Sequence, residues 1–268
     1  MGNCFVKPVK KGASADRVTN AASVATEGVT GLSTPDDKPP VEPTFQFSLV
    51  PTAEHIVACN TMAMGDSSCI MNLYNRYVNP EMGQISAEGI EQLCSDLDLN
   101  PEDFRVLVLA YSLGAQVMCR FTEDEFVKGC EKLGITSLES MKQTIPTLLN
   151  AVKTSFADFY HWTYKFALDI ESGQRTLPID MSLSLWKLVF QQNYPPILDR
   201  WLNYLETSTT IKGISKDTWD MFLIFVDQIG DDLESYDDSE AWPSLLDDFV
   251  EHELSKGDAA SNADPSNS

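Results

Sequence analysis

Basic side chains and histidine are scarce in this sequence. Its 268 residues include 19 lysines and arginines and 3 histidines against 40 aspartates and glutamates, so the formal net charge is -21. A chain of this charge repels nucleic-acid phosphates, and we expect no nucleic-acid partner. Residues 1–66 carry -2 and residues 254–268 carry -1, which leaves -18 on residues 67–253. The acidity lies where we expect the chain to fold, and it favours a basic protein partner.

Long apolar runs and catalytic motifs are also missing. No run reaches the ~18 apolar residues of a membrane-spanning helix, and no nucleotide-binding glycine loop, zinc-protease motif or serine-hydrolase elbow occurs. His161 stands between two aromatic residues of a predicted helix and fits a packing or surface position better than a ligand position. The six cysteines form no C-x-x-C pair, and we expect reduced, buried, cytosolic thiols. We therefore expect a protein that is not an enzyme and needs no cofactor.

The two ends of the chain differ in composition from its middle. Residues 1–66 and 255–268 are rich in small and polar residues, so we expect disorder there, on either side of a folded domain at 67–254. Residues 45–64 are more apolar and fit either a docking segment or a partial helix. The first four residues place Gly2 for N-myristoylation and Cys4 for palmitoylation, although Val6 replaces the usual Ser or Thr. We expect a lipid anchor, with nearby lysines as a second membrane signal.

Helical patterns fill the middle of the chain. Residues 100–103 predict a helix start, with Asn100 as the cap and Pro101 at the first helical position. Residues 104–113 predict a buried helix, and Thr122 with Glu125 predicts a capping box. The last helix begins near Trp242, and its apolar residues recur at helical spacing. We therefore predict an all-α fold, with further helices at 137–151, 155–168, 180–191, 196–207 and 216–229.

Two of the predicted helix connectors resemble EF-hand loops. A calcium loop needs oxygen ligands at positions 1, 3, 5 and 12. We aligned Ile85 and Leu177 with position 8, where an EF-hand carries an apolar residue. The ligand positions then carry no carboxylate, since they are Val78, Pro80, Met82 and Gly89 in the first loop and Ile170, Ser172, Gln174 and Met181 in the second. We predict two degenerate EF-hand-like units that bind no calcium and no other metal.

An acidic cluster near the C-terminus is the sharpest feature of the sequence. Asp217 falls near a predicted helix start, where acids are favoured in any case. Further acids flank the segment from Ala241 to Pro243, namely Asp237, Asp238, Glu240, Asp247 and Asp248. The cluster fits either a solvated face with helix caps or a negative surface for a basic partner, in which small Ala241 allows close approach.

The residues around this cluster resemble the defective-in-cullin-neddylation family and its potentiating-neddylation domain. The likeness spans about residues 72–253, and the specific runs are 217–219 and 241–251, with further matches at 73–77, 89–90, 121–122, 125–126, 158–160 and 186–189. The resemblance implies a scaffold that holds a cullin, with its RING subunit, and the neddylation conjugating enzyme. Proximity would then speed the transfer of the ubiquitin-like modifier to a cullin lysine.

The resemblance also implies two binding sites. The cullin-facing patch maps onto Asp217, Ala241 and Asp247. The second site is an apolar pocket for the acetylated N-terminal Met of the conjugating enzyme, in which Leu113 and Leu185 stand where we would expect aromatic residues. This pocket maps onto Ile90, Val106, Leu109, Ala110, Leu113, Phe121, Phe166, Leu185 and Leu188.

The N-terminus resembles that of the lipidated branch of the family, which implies location at the cell membrane and in the cytoplasm, with the nucleus as a further site. The second hypothesis is a myristoylated, EF-hand-like calcium sensor, which is also acidic and helical and begins in the same way. A calcium titration separates the two, because the ligand arithmetic for the loops predicts no tight binding.

Overall fold

Helices carry nearly all of the regular structure. The computed structural model describes residues 64–261, with side chains from 66 to 256. Within that range, the strands form two short antiparallel pairs, β1 (Val78–Asn79) with β2 (Gln84–Ile85) and β3 (Leu177–Pro178) with β4 (Gly213–Ile214). The all-α prediction is confirmed. The helices are α1 (Met64–Asn75), α2 (Ala87–Asp96), α3 (Phe104–Leu113), α4 (Glu123–Leu133), α5 (Leu138–Thr154), α6 (Phe156–Ala167), α7 (Ile179–Val189), α8 (Ile197–Thr207), α9 (Lys216–Gln228) and α10 (Ser244–Ser261), with a 3-10 turn at Phe190–Gln192.

The predicted helices agree with these bounds to within about one turn, and one predicted cap is wrong. We expected Asn100 to cap the helix that ends at Leu113, with Pro101 in its first turn. Residues 101–103 instead form a turn, and Asp103 caps α3 by accepting a hydrogen bond from the Arg105 backbone N–H. The capping box of α4 is confirmed, since the side chains of Thr122 and Glu125 each accept a hydrogen bond from the other's backbone N–H.

The helix connectors pair with one another across the fold. Ile85, at the end of the first EF-hand-like loop, exchanges two backbone hydrogen bonds with Phe121, at the end of the α3–α4 loop (2.9 and 3.0 Å). Leu177 pairs in the same way with Ile214, at the end of the α8–α9 loop. The two predicted units therefore each have a partner that the sequence did not reveal, and the described residues contain two pairs of helix–loop–helix units.

Two glycines allow close packing in the first of these pairs. A Cβ atom on Gly89 of α2 would lie 2.2 Å from the backbone oxygen of Tyr77, and one on Gly129 of α4 would lie 2.5 Å from the backbone oxygen of Leu113. Both distances are far below van der Waals contact. Only glycine therefore lets α2 and α4 approach the neighbouring backbone this closely.

Stacked aromatic rings form the core of the second pair. The ring of Trp219 stacks on the rings of both Trp186 and Tyr160, with a centroid distance of 4.8 Å in each pair. The Tyr160 hydroxyl donates to the Trp219 backbone oxygen (2.9 Å) and accepts from the indole N–H of Trp186 (2.8 Å). Burial raises the pKa of Tyr160 well above its usual value. These contacts fix the start of α9 against α6 and α7.

The last helix passes the predicted domain boundary. We expected the folded domain to end at residue 254, but α10 continues to Ser261, so the predicted tail begins inside a helix. Leu246, Phe249 and Val250 of its apolar stripe are buried, as the spacing predicted. Among the described cysteines, Cys94 and Cys130 are buried as expected, whereas Cys69 is exposed and Cys119 is half-buried. None of the helices in this part of the chain is long and apolar enough to cross a membrane.

Candidate functional site

Asp217 lies exposed on the first turn of α9. Ser215 caps the helix by accepting from the Thr218 backbone N–H (3.0 Å), and the next side chain, Trp219, is locked into the aromatic core. Successive helical residues point about 100° apart, so a turn that buries Thr218 and Trp219 turns Asp217 outward. Within the described residues, the Asp217 carboxylate has no hydrogen-bond or ion-pair partner.

Lys216, the basic residue next to Asp217 in sequence, pairs with a different acid. The Lys216 ammonium bonds the Asp220 carboxylate one turn along α9, and the other oxygen of Asp220 lies 2.7 Å from Nδ1 of His161. His161 thus occupies a partly exposed surface position, one of the two kinds of position that its sequence context indicated. Because Lys216 and His161 both face Asp220, the charge on Asp217 remains uncompensated at the surface.

Asp247 lies in the first turn of α10 and is half-buried. Its Oδ1 accepts a hydrogen bond from the hydroxyl of Tyr236, in the loop that joins α9 to α10. Burial, the hydrogen bond to Asp247 and the charges of Asp247 and Asp238 all raise the pKa of Tyr236. The phenol therefore stays protonated and remains a donor at physiological pH.

Ala241 is exposed beside a buried aromatic residue. The next residue, Trp242, packs edge-on against Phe225 of α9 (centroids 5.8 Å apart) and stacks on Tyr236 (6.0 Å). Tyr236 thus contacts both Asp247 and Trp242, the residue that follows Ala241, while Asp217 lies at the start of the helix that carries Phe225. We call Asp217, Ala241 and Asp247 the acidic surface.

A groove opens next to Asp247. Its volume is about 950 Å³, and Val250 and Leu254 of α10 supply its apolar lining. Leu254 is 54% exposed. The charged residues around the groove are Glu234, Asp237, Asp238, Asp247 and Glu251. The acids predicted as a cluster at 237–248 are thus exposed, apart from half-buried Asp247.

The residues predicted for the conjugating-enzyme pocket lie in the core. Leu188 is half-buried, and the other eight side chains are at most 5% exposed. They come from α2, α3, α6, α7 and the end of the α3–α4 loop, where Phe121 pairs with Ile85. The eight are Ile90, Val106, Leu109, Ala110, Leu113, Phe121, Phe166 and Leu185. Their assignment to a pocket stays a prediction.

Other predicted groups either lie elsewhere or form no visible cluster. Gly2 and Cys4, predicted to carry lipid, and residues 45–63 lie outside the described residues. Within the described part of the chain, no group of three or more His, Cys, Asp or Glu side chains is placed to share a metal ion. Tyr236, which contacts Asp247, was not predicted from the sequence. It precedes Asp247 by eleven positions and lies in an irregular loop, so no local pattern links the two residues.

A family model matches the C-terminal part of the chain. Residues 140–252, which include all three residues of the acidic surface, match a family model described as cullin binding. The chain carries a domain of the cullin-binding family. The family resemblance stated from the sequence is thereby confirmed.

Relatives of this chain carry the name DCN1-like protein 3. The protein from Rattus norvegicus is 47% identical over 187 residues, which cover 69% of this chain and 62% of the relative. The protein from Xenopus laevis is 48% identical over 190 residues (70% and 63%), and that from Drosophila melanogaster is 42% identical over 192 residues (70% and 56%). The chain thus spans about three fifths of the length of the curated relatives that it matches.

Proposed function

We propose that this protein is a non-catalytic scaffold in cullin neddylation. One observation carries the proposal: all three residues of the acidic surface lie inside the residues that match the cullin-binding family, and the exposed carboxylate of Asp217 has no partner among the described residues. The surface would bind a basic face of a cullin that is held with its RING subunit. A second site would hold the conjugating enzyme, so that proximity and orientation speed the transfer of the modifier. The chemistry would stay with the conjugating enzyme and the RING subunit.

The cullin site is tested by charge reversal at Asp217 in the full chain. Binding to a cullin C-terminal domain with its RING subunit is measured by calorimetry for the wild type and for Asp217→Lys. Loss of one partner of a closely packed charge pair costs about 2–5 kcal/mol, so we expect affinity to fall by roughly thirtyfold or more. Circular dichroism should show unchanged helix content, because the side chain of Asp217 is exposed.

Glu123→Lys provides the matched control. Glu123 is also an exposed acid in the first turn of a helix, and its reversal changes the net charge by the same amount. It lies in α4, outside the residues that match the family model. We expect cullin binding close to that of the wild type. An equal loss in both variants would mean that net charge, and no particular surface, governs the interaction.

We further propose that the apolar set predicted for the conjugating enzyme opens to hold its acetylated N-terminus. The support is chemical: all nine side chains are apolar, and acetylation removes a charge that would be costly to bury. Peptides from the N-terminus of the conjugating enzyme, acetylated or free, are titrated into the full chain. We expect the acetylated peptide to bind and the free peptide not to bind. Equal affinities for the two peptides would contradict the assignment.

We also propose that the protein acts at a membrane, anchored by myristoylation of Gly2 and palmitoylation of Cys4. The support is the order of residues at the N-terminus, with a glycine after Met1, a cysteine two positions later and three lysines within the first eleven residues. The full chain and its Gly2→Ala variant, produced in cells, are compared by membrane flotation. Equal membrane fractions for the two proteins would overturn the anchor.

A further inference from the structure

The acidic surface contains two carboxylates that the fold holds differently. Asp217 is exposed and has no partner among the described residues, whereas Asp247 is half-buried and bound through one oxygen by Tyr236. An aspartate without a partner samples several rotamers and loses that freedom when it binds. One that is already held has less to lose. The two acids therefore begin from different conformational states.

The ring of Tyr236 is itself fixed. It stacks on Trp242 with 29° between the ring planes, and it lies edge-on to Phe225 of α9 at a centroid distance of 6.1 Å. Its backbone N–H donates to the backbone oxygen of Leu233, which is buried (3.2 Å). The backbone and the ring of Tyr236 are thus both held by neighbouring residues, and this fixes the position from which its hydroxyl bonds Asp247.

The hydrogen bond also offsets a local repulsion. Asp247 shares its groove with Asp237, Asp238 and other acids, and like charges near a carboxylate push it towards solvent-separated positions. A donor on Oδ1 stabilises the carboxylate in place and leaves Oδ2 for a partner. The same tyrosine ring packs on the indole that follows Ala241. Tyr236 thus contacts Asp247 itself and Trp242, the residue next to Ala241.

We propose that Tyr236 is a positioning residue, which holds the Asp247 carboxylate and the Ala241 backbone in the geometry that a basic partner meets. The inference rests on the proposed cullin-binding function and adds a specific residue to it. Tyr236 acts through Asp247, so removal of its hydroxyl should matter only while Asp247 is present.

A double-mutant cycle in the full chain tests this coupling. Tyr236→Phe keeps the ring and removes the donor, and we expect cullin affinity to fall roughly threefold to tenfold, as for loss of one hydrogen bond. In an Asp247→Ala background the same change should have no further effect, and in an Asp217→Ala background it should keep its full effect. An equal loss in the Asp247→Ala background would overturn the proposal, because Tyr236 would then act independently of Asp247.

Tyr194→Phe is the matched control. The Tyr194 hydroxyl also donates to an aspartate, Asp199 at the start of α8, over 2.6 Å. Its removal deletes a bond of the same kind between two residues that do not belong to the acidic surface, so we expect cullin affinity to remain unchanged. Wild-type affinity in Tyr236→Phe as well would overturn the role of Tyr236.

A measurement without any partner separates this proposal from the function on which it rests. Side-chain coupling constants of Asp247, measured by NMR, should indicate one χ1 rotamer in the wild type and averaged rotamers in Tyr236→Phe. Unchanged couplings in the variant would overturn the positioning role whatever the partner is. Absence of cullin binding by the wild type would overturn the proposed function, while the couplings would still decide the role of Tyr236.

Discussion

The acidic surface and the apolar set are treated in opposite ways by the fold. Asp217 and Ala241 are exposed and Asp247 is half-buried, whereas eight of the nine apolar residues are at most 5% exposed. An exposed charge contributes little to stability and remains available to a partner. A buried apolar side chain stabilises the fold whether or not it also lines a pocket. Function is therefore easier to separate from stability at the acidic surface than in the apolar set.

The largest expected effect tests the apolar side of this comparison. Phe121 is 4% exposed, packs edge-on against Phe126 and pairs through its backbone with Ile85. Phe121→Ala removes a buried ring, and we expect the free energy of unfolding to fall by about 3–5 kcal/mol, measured by urea denaturation. Asp217→Ala is the counterpart and should change it by less than about 1 kcal/mol. A small loss at Phe121 would indicate that its surroundings are already open.

A half-buried acid that forms ion pairs sharpens the comparison. Glu253 of α10 is 7% exposed at its side chain and accepts from Nε of Arg200 (2.6 Å) and from Lys256 (3.1 Å). Burial raises the pKa of Glu253, but the two hydrogen bonds and the charges of their donors outweigh it, so the net shift is downward. A lowered folded-state pKa contributes stability above the unfolded value of about 4.3, and this contribution is lost as pH falls through the folded value.

Glu253→Gln should therefore destabilise the protein at neutral pH and leave it unchanged in strong acid. We expect a loss of about 1.5 kcal/mol at pH 7, at the low end for charged hydrogen bonds because Arg200 is 38% exposed. The loss should vanish well below pH ~4, where Glu253 is protonated in both states. Urea denaturation at several pH values measures it. A pH-independent loss would mean that packing, and not charge, is affected.

The smallest effect concerns a polar residue beside the apolar set. Thr122 follows Phe121 and caps α4, where its hydroxyl accepts from the Glu125 backbone N–H (3.3 Å). Thr122→Ala should cost about 1 kcal/mol of unfolding free energy. Thr122→Ser keeps the cap and should cost much less. Equal losses would show that the threonine methyl group, and not its oxygen, stabilises this position.

The prediction of helices succeeded where the signal is local. The apolar run at 104–113 coincides with α3, and the capping box of α4 is present as predicted. The cap of α3 was misplaced, because Asn100 and Asp103 are both good caps and sequence alone does not choose between them. Asn100 instead stabilises the preceding turn by accepting from the Glu102 backbone N–H (2.9 Å).

The sequence predicted more about the acidic surface than about the apolar residues. Exposure of Asp217 follows from its place in a capped first turn, a local feature. Sequence does not distinguish apolar residues that line a pocket from those that form the core, because both sets have the same composition. Tyr236 had no sequence signal, because its partner lies eleven residues further on and its stacking partner is fixed by α9.

The sequence by itself determined the helical fold class, the acidity of the folded region and the family to which its C-terminal part is related. These depend on short-range periodicity, caps and composition, which are written along the chain. Tertiary structure alone decided that Ile85 pairs with Phe121 and Leu177 with Ile214, and that Tyr236 holds Asp247. The first two pairs join residues far apart in sequence, and the third joins a loop to a helix. Such contacts exist only once the helices have packed around a common core.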